Sequence, residues 1–263
     1  MDGGWEVAKK GKRRKGGNAN GLTRPSLNSA PNMSIEPTEK STARHIEAVE
    51  DARRELLCSK FYSTFLATLS TARLPARIET TSTTDPSLLV SAIKNLVIYG
   101  LGSLDQLGGV HIRYQLALAC QLSSLLSNLI ARPEAFDPVF SLHDHLILPL
   151  CGIDIIKENE NGRRIAKQPT LFFMPHCEAD LTDSLLTTNV ASETLQNVVI
   201  IGNSFSKYHE RWSMLSTSQQ EQQKRPETLL GFVENSKVFE ISLPENGFPV
   251  TAAFNDMSLH MFI

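Results

Sequence analysis

Three apolar runs in this chain, LVIYGLGSL (Leu96–Leu104), TLFFMPHC (Thr170–Cys177) and NVVIIGNSF (Asn197–Phe205), each stop abruptly at small or polar residues. Their hydrophobicity is continuous rather than alternating, as a strand requires when helices cover both of its faces. Each run predicts a buried parallel strand that delivers a loop to one sheet edge, and the carboxyl ends of such strands are where open α/β sheets bind ligands. Upstream, Ile46, Val49, Leu56, Leu57, Phe61 and Phe65 recur at steps of mostly three and four, predicting one long amphipathic helix from about Thr42 to Ala72, before Pro75. Asp85 or Ser87 is positioned to cap a short helix that buries Leu88, Leu89 and Ile93.

The segment from about Val110 to Ile130 lacks Gly and Pro and is thick with Leu and Ala, which predicts a largely buried helix. A very short strand follows at Ala135–Phe140, then a helix or turn around Asp144–Leu150 and a short strand near Ile153–Ile156. ADLTDSLLTTN reads as a helix, the polar Ser206–Gln223 stretch as a helix or loop, KVFEISLP as an outer strand and TAAFNDMSLHMFI as a terminal strand. Strands alternating with helical segments give an α/β fold, a three-layer Rossmann-like sandwich with a mostly parallel sheet and right-handed crossovers. Residues 1–42, rich in Gly, Asn, Ser, Thr, Pro and Lys, predict a disordered basic tail, and 43–263 the domain.

Composition narrows the function classes. Of 263 residues, 41% are hydrophobic and 21% charged, and no apolar stretch approaches the roughly eighteen residues that span a bilayer, so a soluble protein is expected. MDGGWEVAKKGKRRKGG has no apolar core of a secretory signal. Cys58, Cys120, Cys151 and Cys177 contain no CxxC pair, which suits reduced thiols and points away from a structural zinc site; no metal ligands are assigned. Lys9, Lys10, Lys12, Arg13, Arg14 and Lys15 face only Asp2 and Glu6 in the first twenty residues, while the whole chain carries −2. KKGKRRK reads equally as a nuclear-localisation signal or as a solvated end. Sequence-specific nucleic-acid binding is disfavoured, since no helix-turn-helix, zinc-finger or basic-zipper pattern follows it.

Candidate chemistry gathers at the ends of the runs. Gly100, Gly102 and Ser103 sit where a dinucleotide loop would, but Asp105 stands where the third glycine belongs, so the glycines read first as a tight turn and second as a ligand contact. No cofactor is assigned. Asp137-Pro138 reads as a loosely placed ribose-binding acid or as turn chemistry. In HDH, His143 and His145 diverge if the segment is helical, and Asp144 then reads as the helix N-cap. His176 and Cys177 follow Pro175 on a loop: His176 is either an acid/base or ligand residue or a structural histidine, and Cys177 is a small buried residue ahead of a nucleophile. Gly202 and Asn203 repeat the arrangement at the next strand end, and Tyr208 and His209 follow shortly after.

Taken in order, VIYGLGSL, the Tyr-Gln-Leu-Ala-Leu helix, FDPVF, FFMPHCEADLTDSLLTTN and VVIIGNSFSKY resemble the sensitivity-to-red-light-reduced family, the SRR-like domain proteins, over roughly residues 90–210. Trp5-Glu6 ahead of the basic run is similar to plant members. The matching positions are Gly100, Gly102, Ser103, Gln115, Asp137, Pro138, Pro175, His176, Cys177, Asn189, Gly202 and Asn203. The resemblance implies phytochrome light signalling, circadian and flowering control, protein partners, and a nuclear and cytoplasmic distribution for plant members. For animal and fungal relatives it implies links to haem metabolism and the cytoskeleton. It brings no catalytic mechanism. A small-molecule pocket at the sheet edge belongs to this reading, and a nucleotide- or S-adenosylmethionine-binding enzyme of methyltransferase type is the alternative.

Overall fold

A computed structural model of the chain describes residues 36–73, 89–126 and 132–263. The basic tail and the Asp85 and Ser87 caps lie outside them. Among the described residues, seven strands form one sheet in the order β3-β2-β1-β4-β5-β7-β6. These are β1 (Asn95–Tyr99), β2 (Glu134–Phe136), β3 (Asp154–Ile155), β4 (Thr170–Met174), β5 (Val198–Asn203), β6 (Val238–Ser242) and β7 (Met257–Phe262). The first five run parallel, and β7 is antiparallel to both β5 and β6. The α/β class and mostly parallel sheet are as the sequence predicts.

Side-chain alternation explains why the three runs are continuously apolar. On β1, Leu96 and Ile98 enter one core while Val97 and Tyr99 enter the other. On β4, Leu171 and Phe173 divide from Phe172 and Met174 in the same way, and on β5 Val199 and Ile201 divide from Val198 and Ile200. Both faces are covered, so neither needs polar residues. The first face carries α1 (Glu39–Leu57), α2 (Lys60–Thr71), α3 (Leu89–Ala92), α4 (Val110–Leu126), α5 (Leu142–Leu150) and the short α10 (Thr251–Phe254). The second carries α6 (Ala179–Ala191), α7 (Phe205–Met214) and α9 (Glu227–Glu234), with the small polar α8 (Thr217–Gln222) between the last two in sequence.

Three expectations are corrected, and one element is new. The long N-terminal helix is two helices, because Ser59 turns extended and its hydroxyl accepts from the Tyr62 N–H at 3.0 Å, starting α2. The break keeps Leu56 and Phe61 both buried while leaving Leu57 exposed. Residues 39–42, placed in the tail by composition, form the first turn of α1, because Thr38 and Ser41 make a reciprocal capping box. The polar residues that lower hydrophobicity there are the cap itself. The strand expected over 135–140 ends at Phe136, since Asp137 and Pro138 open a turn. α9 is a further helix for which no element is predicted; its Leu229, Leu230 and Phe232 are buried, and Asp183 accepts its Leu229 N–H at 2.9 Å.

The antiparallel end of the sheet carries a pH-sensitive contact. His260 on β7 is fully buried, stacks on Phe205 with ring centroids 3.9 Å apart, and places Nε2 3.8 Å from a Glu240 oxygen. Burial alone would raise the Glu240 carboxyl, but His260 and the hydroxyls of Ser204 and Ser206 hold it well below the usual carboxylate range. A depressed folded pKa stabilises the fold above the unfolded value, about 4.3, and that contribution is lost as pH falls below it. Glu240→Gln is therefore expected to flatten the acid limb of a stability profile measured by urea denaturation between about pH 6 and pH 3.

Candidate functional site

The chain leaves β1 toward β2 and β3 on one side and later returns to place β4 and β5 on the other. The strand order thus reverses between β1 and β4, and the carboxyl ends beside such a reversal are where doubly wound sheets bind ligands. Gly100, Gly102, Ser103, Asp137, His176, Cys177, Gly202 and Asn203 all lie along that edge, at the ends of β1, β2, β4 and β5.

Close approach fixes the loop after β1. Gly100 has φ +73°, and a Cβ there would stand 2.4 Å from the Cys177 sulfur. That sulfur donates to the Tyr99 carbonyl at 3.4 Å, so the thiol fills the space directly over the first glycine. Two carboxylates then hold the backbone that follows: Asp137 accepts the Gly102 N–H at 2.8 Å and Asp144 accepts the Leu104 N–H at 3.0 Å. Asp137 also accepts from the Val139 N–H at 3.0 Å, and burial, with Asp144 nearby, raises its carboxyl above the ordinary value despite those bonds. Asp144 is not the N-cap of α5. Ser141 is, and Asp144 completes the capping box by accepting the Ser141 N–H and hydroxyl at 2.8 and 2.9 Å. Ser103 is buried and accepts the Asp105 N–H at 3.2 Å.

The loop after β4 is clamped from β5. The Asn203 amide accepts the His176 N–H at 3.2 Å and donates to the Cys177 carbonyl at 3.2 Å and to the Tyr208 hydroxyl at 2.8 Å. Tyr208 in turn donates to the Cys177 carbonyl, and burial, foremost, pushes its phenol up to about 12. Burial and the Asp137 charge push the Cys177 thiol above its ordinary range, the reverse of what a nucleophile needs. His176 is exposed, with φ +53°. The His111 imidazole, in the first turn of α4, has its pKa lowered by burial and then by the charge of His176. Gly202 is packed so that a Cβ would meet the Met174 carbonyl at 2.9 Å.

Two motif residues act away from the edge. The fully buried Asn189 accepts from the Ala166 N–H at 2.8 Å and the Thr194 hydroxyl at 2.7 Å, and donates to the Arg164 and Leu185 carbonyls, each at 2.9 Å. Gln115 joins α4 to α10 by donating to the Ala253 carbonyl at 3.1 Å. Lys9, Lys10, Lys12, Arg13, Arg14 and Lys15 lie outside the described residues. A cluster beside the edge escapes the sequence reading: His45 of α1 and His143 of α5 both meet Asp105 in the loop after β1. The one signal for it is the HDH segment, where His143 and His145 do diverge, His143 turning into the protein and His145 onto the Phe140 ring.

Residues 74–261 match the SRR1 domain, which covers the sheet from β1 to β7 and all of the edge. The chain belongs to the SRR1 domain family. It is 32% identical over 181 residues to Protein SENSITIVITY TO RED LIGHT REDUCED 1 of Arabidopsis thaliana, covering 69% of this chain and 62% of that protein. An SRR1-like protein of Mus musculus is 31% identical over 205 residues, covering 72% of this chain and 81% of the relative. One of Drosophila melanogaster is 29% identical over 170 residues, covering 65% and 55%. No solved structure matches. The sequence blocks that carry the resemblance, over about residues 90–210, fall inside the matched SRR1 domain. Among the described residues, no helix is long and apolar enough to cross a membrane.

Proposed function

We propose that this chain is a regulatory protein of red-light signalling, acting with protein partners and feeding into circadian control. The observation that carries the reading is the 32% identity to the Arabidopsis red-light protein over 181 residues. The chemistry of the edge supports a scaffold. Asp137, Asp144, Asn203 and Tyr208 are engaged in holding backbone N–H and carbonyl groups of the two edge loops, and the Cys177 thiol is buried under Gly100. The test is complementation. Arabidopsis plants lacking their own SENSITIVITY TO RED LIGHT REDUCED 1 protein should regain a normal seedling response to red light when they express this chain, and unchanged seedlings at matched expression would contradict the proposal.

The basic run Lys9–Lys15 supports a nuclear as well as a cytoplasmic distribution. Deleting residues 1–20 is expected to shift a fluorescent fusion toward the cytoplasm; unchanged nuclear signal would reduce the run to a solvated end. A second reading, a nucleotide- or S-adenosylmethionine-binding enzyme, is favoured by the reversal of strand order between β1 and β4 beside the glycine loop. Against it, the Gly102 N–H that would face a ligand is already taken by Asp137.

A further inference from the structure

We propose that His45, Asp105 and His143 form a binding site for a divalent first-row transition ion, zinc being the ion their chemistry suits. The three come from α1, the loop after β1 and the first turn of α5, and their ligand atoms all lie within 4.8 Å of one another. His45 Nε2 is 3.1 Å from one oxygen of Asp105, and His143 Nδ1 is 2.9 Å from the other. The two imidazole rings already stand side by side, with centroids 4.9 Å apart. Ligand atoms arranged tetrahedrally around zinc at about 2.0–2.1 Å are separated by roughly 3.3 Å, so small side-chain rotations bring all three onto one ion. Two imidazoles and a carboxylate are a recurrent zinc set, with the fourth position left to water. The exposed Asp105 leaves that position open to solvent, while His143 is 2% exposed and anchored from behind.

The hydrogen bonding around His143 suits a metal ligand. The Ser41 hydroxyl donates to the Thr38 carbonyl at 2.9 Å and already accepts the Thr38 N–H at 2.9 Å, within the cap of α1. Ser41 Oγ lies 2.7 Å from His143 Nε2, within hydrogen-bond reach. With Nδ1 on an ion, Nε2 would carry the ring proton, and Ser41 Oγ is placed to accept it. A histidine whose far nitrogen is fixed by a second hydrogen bond is the usual arrangement of a metal ligand. Asp144, beside His143, is not part of the set, because its oxygens are taken by Leu104 and Ser141. An ion here would join α1 to the glycine loop and to α5, fixing the N-terminal helix against the sheet edge. This site does not depend on the regulatory reading.

The experiment titrates Zn²⁺ into the metal-stripped full-length chain by calorimetry and follows Co²⁺ by its visible absorption. Expected are one ion per chain, tetrahedral-type Co²⁺ bands and a higher melting temperature with Zn²⁺. His45→Ala and Asp105→Asn, chosen because neither side chain is buried as His143 is, should each weaken binding by more than about 100-fold, and Ser41→Ala by about 10-fold. Circular dichroism of each variant without metal establishes that it is folded. If the folded wild-type chain takes up no Zn²⁺ at micromolar concentration, the proposal fails. It fails equally if both folded ligand variants bind as tightly as wild type, which would place the ion on other residues.

Discussion

Replacing Asn189 with alanine should lower the unfolding free energy by about 3–5 kcal/mol, the upper range for a single substitution. The amide is fully buried and makes four hydrogen bonds, three of them to backbone groups of Ala166, Arg164 and Leu185. Truncation leaves those partners buried, and each orphaned group costs about 1–3 kcal/mol where no water can reach it. Asn189→Asp is expected to be comparably damaging, because a carboxylate would turn lone pairs toward the Arg164 and Leu185 carbonyls in place of two N–H donors. Urea denaturation followed by circular dichroism measures both; a loss under about 1 kcal/mol for alanine would show that the network is replaceable.

Gly100→Ala should cost about 3 kcal/mol, combining strain in the left-handed region with an overpacked contact. Its φ is +73°, and the new Cβ would lie 2.4 Å from the Cys177 sulfur. Gly108→Ala is the control. Gly108 has φ +76° but no atom within 4 Å of its Cβ position, so only the conformational cost of about 1 kcal/mol remains. Removing the sulfur separates the two effects at Gly100. In a Gly100→Ala, Cys177→Ala pair the losses should fall short of additive by more than about 1 kcal/mol, since the second change relieves the first. Additive losses would mean that the thiol does not occupy the space over the glycine.

How legible these features are depends on how local they are. β1, β4 and β5 can be read directly because burial on both faces leaves a continuous apolar run that few other structures produce. The break at Ser59 is less legible: the apolar spacing continues across it, and only a capping hydroxyl marks the change of direction. α9 is hidden by its brevity and by Gly231, and it is held by Asp183 from another helix. Gly100, Asp137, His176, Cys177 and Asn203 stand out as strand-end residues, yet their partners do not. That Cys177 lies over Gly100, or that Asn203 grips the His176 loop, follows from the parallel register of β1, β4 and β5 rather than from any spacing in the chain. The meeting of His45, Asp105 and His143 is less legible still, because it requires α1 and α5 to pack together on one face of the sheet.

We propose that the edge residues of this SRR1 domain hold the two edge loops in place and serve a regulator rather than a cofactor-dependent enzyme. Calorimetric titration of the folded full-length chain with S-adenosylmethionine, NAD and haem tests it most directly. No saturable heat is expected with any of the three, because the Gly102 N–H and the Asn203 amide are engaged and the Cys177 thiol occupies the space over Gly100. Saturable one-to-one binding of any of them at micromolar concentration would contradict it.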